Sequence, residues 1–475
     1  MLFRSLAAEV RRVLHPWYGV AVLGDISGQL STNALTDWAK RIAPDTSRLD
    51  GVGNLVIVRA EPLNGADNWT HWWHGPDNNA VSNDYAYSLP ETVQWTGKPY
   101  FSTRLELPIV ANGRLFMLWN GHLLDATPGE PVLPGEEVAL RTHGWETVLD
   151  GPLSEQRGPL LTARAVGSGV WLWHRRLSPA VWLQVARSTV VADGDRLLVA
   201  DGPDLLVLDQ ATGEELRRLD TGCGEIKWVA VTDERVLLLG GAQFPNRFPE
   251  RMRRMGENVA PFRSGGLDLM VLDRKTLKKL WHERREEGAD AFDPRSPAAA
   301  NGRLFACTEG GVAEAYRIAD GKLQWKTDTG IVRQKPRAYE WDRSSRHPVS
   351  GYAVAGLYII SGPETDRCAV LSQQDGRPMW NLERGRGPVG PIPLAFRDLI
   401  WFGGNGVDPA TGGTERNAPL TQGGCSRFTA APQGIFGTEG LTWNAIADEA
   451  RRVIPAKSGC GAGQYAANGL AWQCA

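Results

Sequence analysis

Apolar residues along this chain come in short runs, cut apart by small clusters of Gly, Asn and Asp, and they keep a strand-like rather than a helical period. One element recurs: a small-residue turn followed by an apolar stretch. It reads Ala111-Asn112-Gly113-Arg114-Leu115-Phe116 and returns almost unchanged as Ala300-Asn301-Gly302-Arg303-Leu304-Phe305. Further copies begin at Ala192, Thr232, Val354, Phe396, Pro432 and Ala467. Asn-Gly and Asp-Gly tolerate the positive φ of a two-residue hairpin turn, so each copy predicts a hairpin entering a strand.

A second element follows many of these. Its clearest form is Val207-Leu208-Asp209-Gln210-Ala211-Thr212-Gly213-Glu214, with further copies at Val271, Ala315, Val370 and Val407. Each reads as strand, Asx-type turn, strand. Three of them lead into Trp281, Trp325 and Trp380, placed where an outer strand can cover the neighbouring unit. The two elements together describe a four-stranded unit repeated roughly every 35 to 80 residues, with insertions absorbing the long intervals. The predicted fold class is all-β: a β-propeller of four-stranded blades, eight preferred and seven the alternative. The first 60 residues differ. Glu9 to Pro16 followed by Gly19 to Leu23 predicts helix, turn, strand, so a small α/β segment over residues 1–60 precedes a propeller over 61–475.

Composition narrows the function more than the fold. Among 475 residues there are 54 Gly, 30 Pro and 19 Trp, against 9 Tyr and 12 Phe, as a repeated Trp-bearing element would produce. The formal charge of −2 lacks the basic footprint of a nucleic-acid binder. No apolar run reaches the roughly 20 residues of a membrane span. The N-terminus is amphipathic and interrupted, unlike a secretory leader, and the compartment stays open: a periplasmic or extracellular setting fits a chain cut from a longer one. The six cysteines form no Cys-x-x-Cys, and a disulfide is conceivable only among Cys425, Cys460 and Cys474.

The blade pattern Asn-Gly-Arg-Leu-Phe … Asp-Gly-Lys-x-x-Trp, clearest from Ala300 to Thr329, resembles the pyrroloquinoline-quinone-like (quinoprotein-type) repeat. The stretch from Asn68 to Ser82, followed by Leu89-Pro90 and Gln94-Trp95, is similar to the opening motif of such propellers in large bacterial proteins. The resemblance covers about residues 67–475 and implies eight blades. It implies little about activity, because quinone dehydrogenases and assembly scaffolds share the repeat. Residues 1–60 resemble the late helix-to-strand segment of class I methyltransferases, with Trp17-Tyr18 where that family has glycine and without its glycine-rich cofactor loop.

The densest polar cluster is His71, His74, Asp77, Asn78, Asn79 and Asp84, flanked by Trp69, Trp72 and Trp73. These histidines and Asp77, Asn78 and Asn79 are the ligand-binding candidates; His-x-x-His offers two imidazoles, although no metal site is assigned. The competing reading has the tryptophans tucked against the first blade and the polar groups capping turns. Resembled quinone enzymes hold calcium with a Glu, an Asn and an Asp, and close adjacent cysteines over the cofactor; no Cys-Cys pair occurs here. No cofactor is therefore expected. Gly167-Ser168-Gly169 is no nucleophile elbow, and Glu286-Glu287 sits in a charged run typical of a solvated edge. The expectation is a binding or scaffold propeller meeting a protein, glycan or small ligand at its blade loops. The alternative is a quinone- or metal-dependent oxidoreductase using the channel mouth, with His71 and His74 at its centre.

Overall fold

The computed structural model describes residues 2–25, 27–45, 49–88, 109–119, 160–178, 188–241, 265–331, 350–361, 367–383, 393–420, 428–437, 441–445, 448–452 and 464–473. Leu89-Pro90, Gln94-Trp95, Cys425, Cys460 and Cys474 lie outside them.

The N-terminal segment is α1 (Leu2–Val13), β1 (Val20–Gly24), α2 (Thr32–Ala39), β2 (Leu49–Val52) and β3 (Leu55–Arg59). Its strands form an antiparallel sheet in the order β1-β3-β2. Ser31 caps α2, its hydroxyl accepting the Ala34 N–H at 3.2 Å. Alternation on β3 buries Val56 and Val58 against Ala7, Leu35, Ala39 and Ile42. His15 and Trp17 then dock this unit on the first blade. A Cβ on Gly113 would lie 2.6 Å from Trp17, and one on Gly167 would lie 1.6 Å from the His15 ring. Those two turns therefore have to be glycine. Trp17 covers the Gly113 turn.

Eight antiparallel sheets follow, seven of four strands and the last of two among the described residues. Within each, strands pair in sequence order, and the first strands of successive blades lie against one another around the axis. These innermost strands are, for blades 1 to 8, Ile109–Ala111, Val190–Asp193, Glu225–Val231, Ala298–Ala300, Ser350–Val354, Pro393–Phe396, Thr429–Ala431 and Gln464–Ala467. Every copy of the first sequence element forms the turn between strands one and two of a blade. The second element forms the turn between strands three and four, with a register shift at the same place in blades 2 to 6. Chemistry explains that turn. The Asp209 carboxylate accepts the N–H groups of Ala211 and Thr212 at 2.8 Å, and Gly213 takes φ 74° to close the bulge.

The outer-strand tryptophans seal the gaps between blades. Trp173, Trp281, Trp325 and Trp380 each donate the indole N–H to a carbonyl of the next blade, on Gln210, Ile318, Gln373 and Pro409, at 2.7 to 3.0 Å. Each ring lies over the turn glycine of that blade: Gly213, Gly321, Gly376 or Gly412. Between blades, apolar residues interleave, as Phe305 and Trp325 of blade 4 do with Tyr358 and Leu371 of blade 5. No helix among the described residues is long and apolar enough to cross a membrane.

Candidate functional site

Residues 67–84 lie across the end of the channel where the innermost strands finish, and they visit the blades in order. Trp69 exchanges two backbone bonds with Val110 of blade 1, at 2.7 and 3.0 Å. The Thr70 carbonyl accepts the Ala192 N–H of blade 2 at 2.9 Å, and His71 Nε2 accepts that of Val231 of blade 3 at 3.0 Å. The Pro76 and Asp77 carbonyls take Ala299 of blade 4 and Ala353 of blade 5, at 2.7 and 2.9 Å. Asn79 pairs both ways with Ala395 of blade 6, and the Ala80 carbonyl takes Ala430 of blade 7. The Asp67 carbonyl accepts the Asn468 N–H of blade 8 at 2.8 Å. One strap therefore occupies one backbone amide per blade, which satisfies inner-edge N–H groups that would otherwise face the axis unpaired.

Each candidate residue has a defined place on this strap. His71 is 4% exposed. Thr70 Oγ1 gives its proton to the His74 carbonyl at 3.0 Å and so accepts from His71 Nδ1 at 2.8 Å. Nε2 in turn accepts from Val231, which makes His71 a neutral Nδ1–H imidazole. Burial, then the neighbouring His74, push its pKa down to about 3. With both nitrogens engaged, His71 has no lone pair left for a metal. His74, at φ 67°, meets the Asp67 carboxylate at 2.7 Å. Burial pushes the Asp67 carboxyl up, but His74 and the N–H groups of Asn83 and Asn68 outweigh it and hold the group below its usual range. Asp77 Oδ1 accepts the Asn79 N–H at 3.0 Å, and burial raises its pKa. Asn78 spends both amide hydrogens on the Pro297 and Gly351 carbonyls of blades 4 and 5, at 2.9 Å. Asp84, also raised by burial, accepts the Gly469 N–H at 2.7 Å.

These residues share a strap without converging on one point, since their polar atoms are spread around the axis. Trp69 does pack near blade 1, but its ring meets Tyr465 of blade 8 at 4.5 Å, so the segment is not tucked against the first blade alone. Asp67, Asn68 and Thr70 escape the sequence reading although they close this network. Their signal was proximity to the tryptophans, which marks a segment and not its partners.

A small, solvent-open hollow is walled by Trp72 and Trp73 of the strap and by Ser188, Trp228, Arg295 and Tyr352 of blades 2 to 5. Trp72 and Trp73 meet edge to face at 5.7 Å. Cys223, Cys307 and Cys368 are buried far apart in sequence on separate strands or loops, and no three His, Cys, Asp or Glu side chains gather as ligands among the described residues.

Comparison with protein-family models matches residues 158–402 to the family described as outer membrane protein assembly factor BamB. The match does not reach residues 1–60, and the methyltransferase resemblance of that segment has no support from it. A search of curated proteins finds no match. Among solved structures, BamB from Moraxella catarrhalis is similar at 16% identity and a TM-score of 0.39, over 62% of this chain and 78% of that one. The computationally designed Ika8 protein is similar at 11% identity and a TM-score of 0.43, over 66% of this chain and 90% of that one. With the family match running over just more than half of its length, on blades whose repeated turns carry the same pattern, the chain belongs to the BamB-type family of PQQ-like repeat β-propellers.

Proposed function

We propose that this chain is a non-catalytic recognition scaffold, with residues 1–60 as a docked accessory unit and residues 61–475 as the binding propeller. The observation that carries this reading is the strap. At the end of the channel where the innermost strands finish, the chain itself lies across the blades, with His71, Asn78 and Asn79 bonded to blade backbones. The matched family is described as an assembly factor, and a protein partner is the class that this description favours over a glycan or small ligand.

The test is a titration of the purified protein with pyrroloquinoline quinone, with and without calcium, following cofactor absorbance and melting temperature together. The scaffold reading expects neither signal to change. Saturable binding with a calcium-dependent rise in melting temperature would replace it with the oxidoreductase reading.

A further inference from the structure

We propose that residues 67–84 act as a single cooperative clasp that closes the propeller ring, rather than as a row of independent contacts. Three features of the geometry lead there. The stations run in the order of the blades, from Val110 through Ala192, Val231, Ala299, Ala353 and Ala395 to Ala430, so the segment makes one continuous turn about the axis. Each station supplies only one or two hydrogen bonds, whose small net contribution is too little to hold an extended segment in place one contact at a time.

The two ends of the segment are also tied to each other. The Asp67 carboxylate accepts the Asn83 N–H at 2.6 Å and the Ser82 hydroxyl at 3.4 Å, while holding His74 at 2.7 Å. First and last turns of the segment thus share one carboxylate.

The knot sits where the array must close on itself, between blade 8 and blade 1. Asn468 of blade 8 accepts the Gly113 N–H of blade 1 on Oδ1 at 2.8 Å, and donates from Nδ2 to the Asp67 carbonyl at 2.8 Å and to Asn68 Oδ1 at 2.9 Å. Asn68 Oδ1 also accepts the Asn112 N–H of blade 1 at 3.1 Å. Asp84 completes the bracket by accepting the Gly469 N–H. The other blades meet blades adjacent in sequence, whereas this seam joins residues more than 350 positions apart, and the clasp spans it.

The experiment is native-state hydrogen exchange on the full chain carrying Asp67→Ala, with Gly376→Ala, a lesion in an outer seam away from the clasp, as the reference. The clasp predicts that the station amides of blades 2 to 7 lose protection together with Asn468 in Asp67→Ala, exchanging at least tenfold faster, while Gly376→Ala leaves that set ordered as in the wild type. Faster exchange confined to Asn83 and Asn468, with Ala299 and Ala353 unchanged, would overturn cooperativity. If Asp67→Ala does not fold, Asn79→Ser probes the same ring from blade 6. Val110 and Asn468 are then the remote reporters, and their unchanged protection would overturn the proposal in the same way.

Discussion

The seam between blades 4 and 5 and the seam between blades 2 and 3 occupy equivalent places in the ring but are held by different chemistry. In the first, Trp325 lies over Gly376 and donates to the Gln373 carbonyl, while Asn301 donates to Gln373 Oε1 at 2.8 Å. The seam between blades 1 and 2 repeats this with Trp173, Asn112 and Gln210. Between blades 2 and 3 the outer strand Glu215–Asp220 has no tryptophan, and Arg217 reaches the Thr276 carbonyl instead. The Asn–Gln pair becomes Asp193 and Arg274, joined at 2.6 Å, with Arg196 bonded to both Asp193 and the Arg274 carbonyl. The turn position that elsewhere is glycine is Leu277 at φ 55°, since no indole ring presses on it. A repeat can thus exchange its apolar seal for a buried ion network when several positions change in concert. A partial change would leave the Asp193 carboxylate, 1% exposed, without enough partners.

The largest effect that would test this contrast is Trp325→Ala. Loss of a buried indole should cost about 3–5 kcal/mol in urea unfolding, and a cost below about 1 kcal/mol would show that the apolar seal is dispensable. Arg274→Gln should cost about 1–2 kcal/mol, because Asp193 loses one of its two guanidinium partners and keeps Arg196. Combining it with Asp193→Asn recreates the Asn–Gln pair of the seams between blades 1 and 2 and between blades 4 and 5. The double variant should recover more than 1 kcal/mol relative to the sum of the single losses, measured as a double-mutant cycle.

Acid acts on the strap. His71 titrates near 3 in the folded protein and near 6.5 when unfolded, so between those values the unfolded chain holds the extra proton. Stability therefore falls as pH drops below about 6.5, by about 2 kcal/mol at pH 5. The raised carboxyls of Asp77 and Asp84 act in the opposite sense, favouring the fold at low pH. Replacing His71 with Asn should remove the pH 5 to 7 slope in urea midpoints. The smallest effect compares two glycines. Gly376→Ala meets Trp325 at 2.5 Å as well as φ 73°, and should cost about 2 kcal/mol. Gly194→Ala meets only φ 59° with open space around it, and should cost about 1 kcal/mol by thermal melting.

Much of the propeller was legible because its signals are local. Ala300 to Phe305 announces a hairpin through Asn301 at φ 51° and Gly302 at φ 70°, and Trp325 falls at a fixed offset from it. The absence of Trp from the outer strand of blade 2 was equally visible, but its replacement was not. Asp193 and Arg274 lie 81 positions apart, and nothing in either neighbourhood names the other. The strap was legible as a dense polar segment, but its partners were not, since they lie far along the chain. Asn79 meets Ala395 across 316 positions.

The sequence by itself determined the turn chemistry, the strand alternation and hence the repeated blade, because those depend on φ preferences and burial within a few residues. Only the tertiary structure decided which seams are apolar and which ionic, and that His71, Asn78 and Asn79 serve the ring. A hydrogen bond's partner is set by where the closed array brings two backbones together, and that position exists only once all the blades are in place.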